Sequence, residues 1–348
     1  MGRHSEGHRA IVAGAAGFIG SHLCDALVRR QFSVIGVDNL QSGRLENLEH
    51  LQGTPNFRFI HADVIDPLPR SLRAEIIFNL ACAASPPQYQ SDPVHTLMTS
   101  VVGTHNLLSL AADLGARFVF ASTSEIYGDP LSHPQTEKYN GNVNPIGPRA
   151  CYDEGKRAAE TLCFDYLRAG RVDARVCRIF NTYGPRMRAD DGRVVSNVIT
   201  QALDGREISI YGDGTQTRSF CYLDDLVSGL LALGLKEGEV PGPINLGNPN
   251  EITVGELAKA VLELTGSPSP VVYRPLPVDD PRRRKPDITL AKDVLGWTPK
   301  VSLRKGLSKT VAWFASTKPE WAQPSPILIR RERERINGVS ETVRLNSV

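Results

Sequence analysis

The stretch Ala10-Ile11-Val12-Ala13-Gly14-Ala15-Ala16-Gly17-Phe18-Ile19-Gly20 decides how this chain is read. Ala10 to Ala13 is an apolar run that suits a buried strand, and Ser21 to Arg30 has the spacing of a helix. Between them lies Gly-x-x-Gly-x-x-Gly. Such patterns recur by chance, but a strand running into the glycines and a helix running out of them give this one meaning. Glycines let the backbone approach a pyrophosphate, and the helix N-terminus offers unpaired N–H donors and the positive end of its dipole. A second strand, Ser33 to Val37, ends in Asp38-Asn39, eighteen residues beyond Gly20. A carboxylate there accepts hydrogen bonds from ribose hydroxyls and repels a 2′-phosphate, which favours NAD over NADP. A turn residue after a strand is the plainer reading of Asp38; strand, glycine turn, helix, strand and acid arriving in order weigh against it. Asp63, with Val64 beside it, suits the adenine edge.

Working outward, Phe57 to His61, Ile76 to Ala81, Phe118 to Ser122 and Arg175 to Phe180 read as further strands, with long helices at Pro93 to Leu114 and Ala150 to Ala169. Alternating strands and helices predict a Rossmann-type, doubly wound parallel sheet, an α/β fold with ligands at the carboxyl ends of the strands. Gly14, Asp38, Asp63, Ala81 and Thr123 all fall at such ends. From about Tyr183 the strands shorten and Gly, Pro and Asp become frequent. Leu223 to Leu235 and Ile244 to Leu246 read as a helix and strand returning to the first sheet, and Thr253 to Thr265 and Leu303 to Ala315 as helices of a smaller unit. The expected division is a flexible N-terminus (1–8), an NAD-binding domain (9–184 with 222–247), an interleaved α/β nucleotide-sugar domain (185–221 and 248–316) and a polar, poorly ordered tail (317–348).

The 348 residues carry a formal net charge of +2, which argues neither for nor against nucleic acid. Six scattered cysteines show no metal-ligand spacing and no secreted disulfide pattern, so reduced thiols and no metal are expected. Met1 to Arg9 has no apolar signal core, and no run is long enough to span a bilayer. A cytoplasmic enzyme is the simplest expectation.

Tyr152 and Lys156 stand four apart, on one face of the helix Ala150 to Ala169, with side chains roughly 5–6 Å from each other. An ammonium that close favours the phenolate and lowers the tyrosine pKa. A phenol tuned in this way can take a proton from a sugar hydroxyl. Tyr-x-x-x-Lys alone is common on exposed helix faces; Thr123 at the end of a strand, and the glycine turn before it, lift this pair above that reading.

The chain resembles the extended short-chain dehydrogenases/reductases and, within them, the UDP-glucuronate decarboxylases. The resemblance rests on Ala121-Ser122-Thr123-Ser124-Glu125, Asn144 to Arg157 around Tyr152, Arg178 to Met187, Asp191 to Asn197, Gln216-Thr217-Arg218, Asn245 to Pro249, and Asp279-Asp280-Pro281 through Arg284 to Asp287, and covers roughly residues 9 to 315. It implies catalytic roles for Thr123, Ser124, Glu125, Tyr152, Lys156 and Arg284. It implies that NAD is held by Gly14, Gly17, Phe18, Ile19, Gly20, Asp38, Asn39, Ser42, Asp63, Val64, Leu80, Ala81, Cys82, Thr99, Ala121, Tyr152, Lys156 and Thr182. Arg193 and Arg218 suit a diphosphate, since guanidinium forks match phosphate oxygens; Asn181 donates beside them, Tyr211 lies by the base, and Pro86 and Tyr89 wall the sugar pocket with Glu125 and Arg284. For Tyr89 plain loop packing is nearly as good a reading, and for Arg284 the alternative is a solvated charge run with Arg282 and Arg283. Cys82 and Ala83 after the fourth strand, and Ser100 on the following helix, differ from the family pattern and bear on cofactor grip.

The activity implied is oxidation of UDP-glucuronate at carbon 4, loss of carbon dioxide from carbon 5, and re-reduction to UDP-xylose by a homodimer joined through the two long helices. Glu125 is expected to orient the sugar and a water, and Arg284 to contact the ring or carboxylate region. A nucleotide-sugar 4,6-dehydratase is the near rival, sharing Thr-Ser-Glu at the strand end; a 4-epimerase needs no Glu125. A non-catalytic NAD-binding sensor places no demand on a tuned phenol.

Overall fold

The computed structural model describes residues 8–276 and 283–317. Expectations for the chain before His8, for Asp279-Asp280-Pro281 and Arg282, and for the tail beyond Thr317 lie outside the described residues.

The apolar runs become β1 (Arg9–Ala13), β2 (Ser33–Asp38), β3 (Phe57–His61), β4 (Ile76–Asn79), β5 (Arg117–Thr123) and β6 (Ala174–Ile179), joined at one edge by β11 (Ile244–Leu246). Their order is β11-β6-β5-β4-β1-β2-β3, with every pairing parallel. The chain therefore winds away from β1 in both directions, and the crevice between the ends of β1 and β4 is the switch point where such folds bind ligands. β1 and β4 carry apolar side chains on both faces because helices cover both. Leu23 and Leu27 of α1 (Phe18–Arg29) and Leu226 and Leu230 of α7 (Leu223–Leu235) fill one layer. Leu107 and Leu108 of α4 (Thr104–Leu114) and Ala159, Cys163 and Tyr166 of α5 (Ala150–Arg168) fill the other.

One long element differs from expectation. Pro93 to Leu114 is not a single helix: α3 (Pro93–Met98) passes through a π turn, Thr99–Gly103, into α4. A π turn adds one residue to a turn of helix, which a 3.6-residue apolar period does not register. It buries Thr99, Ser100 and Gly103, and a Cβ on Gly103 would stand 2.6 Å from Val64 Cγ2. Between β4 and α3 the chain forms a short helix, α2 (Pro86–Tyr89).

After β6 come short pairings: β7 (Thr182–Tyr183) with β10 (Cys221–Tyr222), β8 (Ile208–Tyr211) with β13 (Val271–Arg274), and β9 (Thr217–Ser219) between β12 (Glu251–Thr253) and β14 (Arg283–Arg284). Helices α6 (Val194–Leu203), α8 (Val254–Thr265), α9 (Thr289–Leu295) and α10 (Leu303–Ser316) complete the described chain. Val198, Ile199, Leu257, Val261, Leu307 and Phe314 form a third core here. α8 starts on a capping box, with the Thr253 hydroxyl accepting the Glu256 N–H and the Glu256 carboxylate accepting the Thr253 N–H.

Candidate active site

A cavity of about 490 Å³ opens at the carboxyl ends of the strands, with a smaller one of about 60 Å³ continuing beneath β2. Gly14, Gly17, Phe18, Ile19, Gly20, Ser42, Leu80, Cys82, Ala121 and Thr182 line the larger space. Asp38, Asn39, Asp63, Val64, Ala81 and Thr99 line the smaller. Gly14 has φ +79°, and a Cβ on it would lie 2.6 Å from the Leu80 carbonyl oxygen; a Cβ on Gly20 would lie 2.0 Å from that of Gly14. Only bare backbone closes this turn. The first turn of α1 carries no acidic residue, so its N–H groups face the cavity without a competing anion. Asp38 accepts the Ala16 N–H at 2.9 Å on one oxygen and the Leu40 N–H at 2.8 Å on the other, which fixes its carboxylate and leaves lone pairs for a ribose. Burial pushes its carboxyl up, and the two N–H bonds oppose that. Asp63 goes the other way. Burial raises it, but the Ile65 N–H (3.0 Å), the Asn39 amide (2.7 Å) and the His95 ring (2.8 Å) outweigh burial and hold it below the ordinary range. This donor set and cradle fit NAD.

Thr123 ends β5, and its hydroxyl hydrogen-bonds the Tyr152 phenol reaching across from α5. Lys156 is buried and donates to the Ala121 carbonyl at 2.9 Å, with its nitrogen 5.9 Å from the Tyr152 ring centre. Here the expectation of an acidified phenol is corrected. Burial pushes Tyr152 well above the ordinary tyrosine range; the Cys82 thiol adds to that, and the Thr123 bond opposes it. The ammonium is turned to a backbone carbonyl, and burial lowers its own pKa. Desolvation of the phenolate is the larger effect in this pocket.

Next to Thr123, Glu125 is caught between two arginines. Arg284 reaches its carboxylate at 3.1 and 3.4 Å, and Arg149 reaches it at 2.5 Å. Burial alone would raise the Glu125 pKa; the two guanidiniums overcome it and hold the group ionised. Arg284 also donates to the Ser124 hydroxyl at 3.0 Å and the Gly128 carbonyl at 3.1 Å. It is 2% exposed while Arg283 beside it is exposed, so the solvated-run reading does not hold for Arg284. Strand β14 explains the difference, since its pleat sends successive side chains to opposite faces.

The expected substrate residues Pro86, Tyr89, Asn181, Arg193, Tyr211 and Arg218 line the same cavity. Tyr89 is part of α2, and its ring stacks on that of Tyr152 with centres 5.0 Å apart and planes 5° from parallel. Arg193 pairs with Asp191 and lies 6.0 Å from the Phe18 ring centre. Arg218 sits opposite Arg284 in the β9–β14 register, and Tyr211 is at the rim, 45% exposed. Cys82 and Ser100, two of the positions that differ from the family pattern, touch, with Sγ and Oγ 3.4 Å apart. Sequence reasoning missed Arg149, Ser85 and Gln88 as cavity residues. Arg149 was legible in principle, standing three residues before Tyr152 and thus on its helix face.

Residues 10–247 match the family described as NAD dependent epimerase/dehydratase. The chain belongs to that family. It is 56% identical to UDP-glucuronic acid decarboxylase 2 of Arabidopsis thaliana over 90% of this chain and 70% of that one. It is 49% identical to UDP-glucuronic acid decarboxylase 1 of Xenopus tropicalis over 94% and 79%. Among solved structures of epimerases and dehydratases, the UDP-glucose 4-epimerase of Thermotoga maritima superposes with a TM-score of 0.80 at 34% identity, covering 89% of this chain and 99% of that one. The UDP-glucuronic acid 4-epimerase of Bacillus cereus, solved with UDP-glucuronic acid and NAD, superposes with a TM-score of 0.80 at 27% identity, covering 88% and 99%. Among the described residues no helix is long and apolar enough to cross a membrane.

Proposed function

We propose that this protein decarboxylates UDP-glucuronate to UDP-xylose with recycled NAD. The observation that carries the reading is Glu125, held ionised by Arg284 and Arg149 beside Thr123 and Tyr152. A 4,6-dehydratase needs an acid for the departing hydroxyl as well as a base at carbon 5, and Glu125 held ionised supplies the base but not the acid. Loss of carbon dioxide needs no leaving-group acid. The curated relatives at 49% and 56% identity carry the same activity in their names.

Bound NAD⁺ would accept two electrons and a hydrogen from carbon 4 of the sugar and later return them. Tyr152, protonated in the free pocket, serves as base only in its ionised form, which the positive charge of bound NAD⁺ would favour; it then takes the hydroxyl proton from that carbon and gives it back, with Thr123 sharing the hydrogen bond. Lys156, bonded to the Ala121 carbonyl with its nitrogen 5.9 Å from the Tyr152 ring centre, adds a buried positive charge that favours the phenolate. The ketone formed at carbon 4 is beta to the carboxylate, so carbon dioxide departs with its electrons delocalised into an enolate. Glu125 and Arg284 orient the ring and a water, and that water gives a proton to carbon 5 as the enolate collapses to the 4-keto pentose, leaving hydroxide that the released carbon dioxide takes up as bicarbonate; Arg193, Arg218 and Asn181 hold the diphosphate. Gly14 to Gly20, Asp38 and Asp63 hold the cofactor.

We divide the chain for function into the nucleotide-binding part, 9–184 with 222–247, and the sugar-nucleotide part, 185–221 with 248–316. We infer a homodimer through α3 and α5: Val94, Leu97 and Met98, at i, i+3 and i+4 on α3, are 71%, 39% and 42% exposed and share a face. Six free thiols suit a reducing compartment such as the cytoplasm. Incubation with UDP-glucuronate and NAD⁺, followed by mass spectrometry, tests the activity. The product is expected to be lighter by carbon dioxide with NAD⁺ unconsumed; an unchanged or dehydrated sugar nucleotide overturns the reading.

A further inference from the structure

Ser85 Oγ, Gln88 Nε2 and Tyr89 Oη are buried and, among the described residues, have no hydrogen-bond partner. They belong to five consecutive residues, α2 and its N-cap, and all three residues line the catalytic cavity. Buried polar groups are nearly always paired, because an unpaired one forfeits its hydration without return. Three such atoms on one short element beside one cavity mark a surface shaped for a ligand that supplies the partners.

The element is held in place. The Tyr89 carbonyl accepts the Thr96 hydroxyl at 3.0 Å and lies 3.9 Å from the Cys151 thiol, while its ring stacks on Tyr152. Pro87 packs on Gly192, where an added Cβ would come within 2.6 Å of Pro87 Cγ. The orphaned atoms are thus preorganised, and a ligand that meets them orders little more.

Their chemistry narrows the ligand. Two hydroxyls that donate and accept, and an amide that donates, form a neutral and mixed set. Phosphate and carboxylate oxygens only accept, and the charged forks that suit them are Arg193, Arg218, Arg284 and Arg149. Sugar hydroxyls, which both donate and accept, match the set on α2. The stacking of Tyr89 on Tyr152 places it beside carbon 4. The ring neighbours of that carbon are carbon 5, which bears the carboxylate, and carbon 3, which bears a hydroxyl. The Arg284–Glu125–Arg149 cluster suits the carbon-5 side. We propose that Ser85 and Gln88, on the same short element as the sugar-wall residue Tyr89, read the hydroxyls on carbons 3 and 2 of the substrate, making α2 the element that selects the sugar by its hydroxyl pattern. The identity of that sugar rests on the decarboxylase reading above.

The test is a substrate–variant cycle. Wild type, Gln88→Leu and Ser85→Ala are compared on UDP-glucuronate and on its 2-deoxy and 3-deoxy analogues, with the Kd of UDP as control. Gln88→Leu is expected to lower kcat/KM on UDP-glucuronate about 10- to 100-fold, to leave the Kd of UDP unchanged, and to lose most of its penalty on one deoxy analogue. An equal penalty on all three substrates, or none, overturns the assignment. The same cycle run on dissociation constants by calorimetry tests α2 even if wild type releases no carbon dioxide, so failure of the decarboxylase reading and failure of this inference are distinguishable.

Discussion

At the scale of single residues, the site is governed by what burial does to charge. Tyr152 is buried against Tyr89 and raised, so its phenol in the free protein is expected to stay protonated through neutral pH. Difference absorbance between wild type and Tyr152→Phe checks this: no phenolate signal should develop from about pH 6 to 9 without NAD⁺. Tyr152→Phe should also lower turnover by about 10²- to 10⁴-fold while leaving UDP affinity intact. Glu125 is the opposite case. Its depressed pKa means that its ion pairs stabilise the fold above the ordinary glutamate range and that this contribution is lost as pH falls below it. Glu125→Gln strands two guanidiniums, and a loss of about 3–5 kcal/mol by urea unfolding is expected, together with loss of decarboxylation. Full turnover by that variant would sink the role given to the carboxylate. Asp153, buried and with one oxygen unpaired among the described residues, is pushed up to about 7 by burial and by the Glu125 charge. Its sign is reversed: the protonated form is favoured in the fold, so stability is complete below the ordinary aspartate range and declines as pH rises toward about 7. Asp153→Asn should flatten the urea midpoint between about pH 4 and 7; an unchanged slope would mean that Asp153 is ionised in the fold.

At the scale of elements, the turn from β1 into α1 does the most for function with the least chemistry. Gly14→Ala places a Cβ against the Leu80 carbonyl at positive φ, so NAD⁺ affinity by calorimetry is expected to fall by at least about tenfold, with a lowered Tm. The seven strands of the parallel sheet, this turn and the helices α1, α5 and α7 were legible in the sequence because their apolar periods and breakers agree with the final fold. The π turn after α3 was not, since Thr99 to Gly103 look like ordinary helix residues and the fifth-residue bond comes from packing on Val64 and α5. Nor was α2, whose Pro-Pro start reads as loop, or the pairing of β14 with β9, which buries Arg284 inside a charge run. Within the site, residue types announced the cofactor turn and the Thr123–Tyr152–Lys156 set. The clamp of Arg149 and Arg284 on Glu125 needed the tertiary fold, because Arg284 lies 159 residues from its partner.

For the whole molecule, two claims are open to direct measurement. If α3 and α5 join two copies, light scattering should give a dimer for wild type and a monomer for Leu97→Glu; a wild-type monomer would remove the homodimer from the account. The central claim is that the electrons removed at carbon 4 return to carbon 4 after carbon dioxide has gone, with Tyr152 moving the proton both ways. UDP-glucuronate carrying deuterium on carbon 4 tests it most directly. The account predicts carbon dioxide release and a UDP-pentose that keeps the deuterium on carbon 4, with no net NADH. Deuterium lost from that carbon, or retained in a product still carrying its carboxylate, would contradict it.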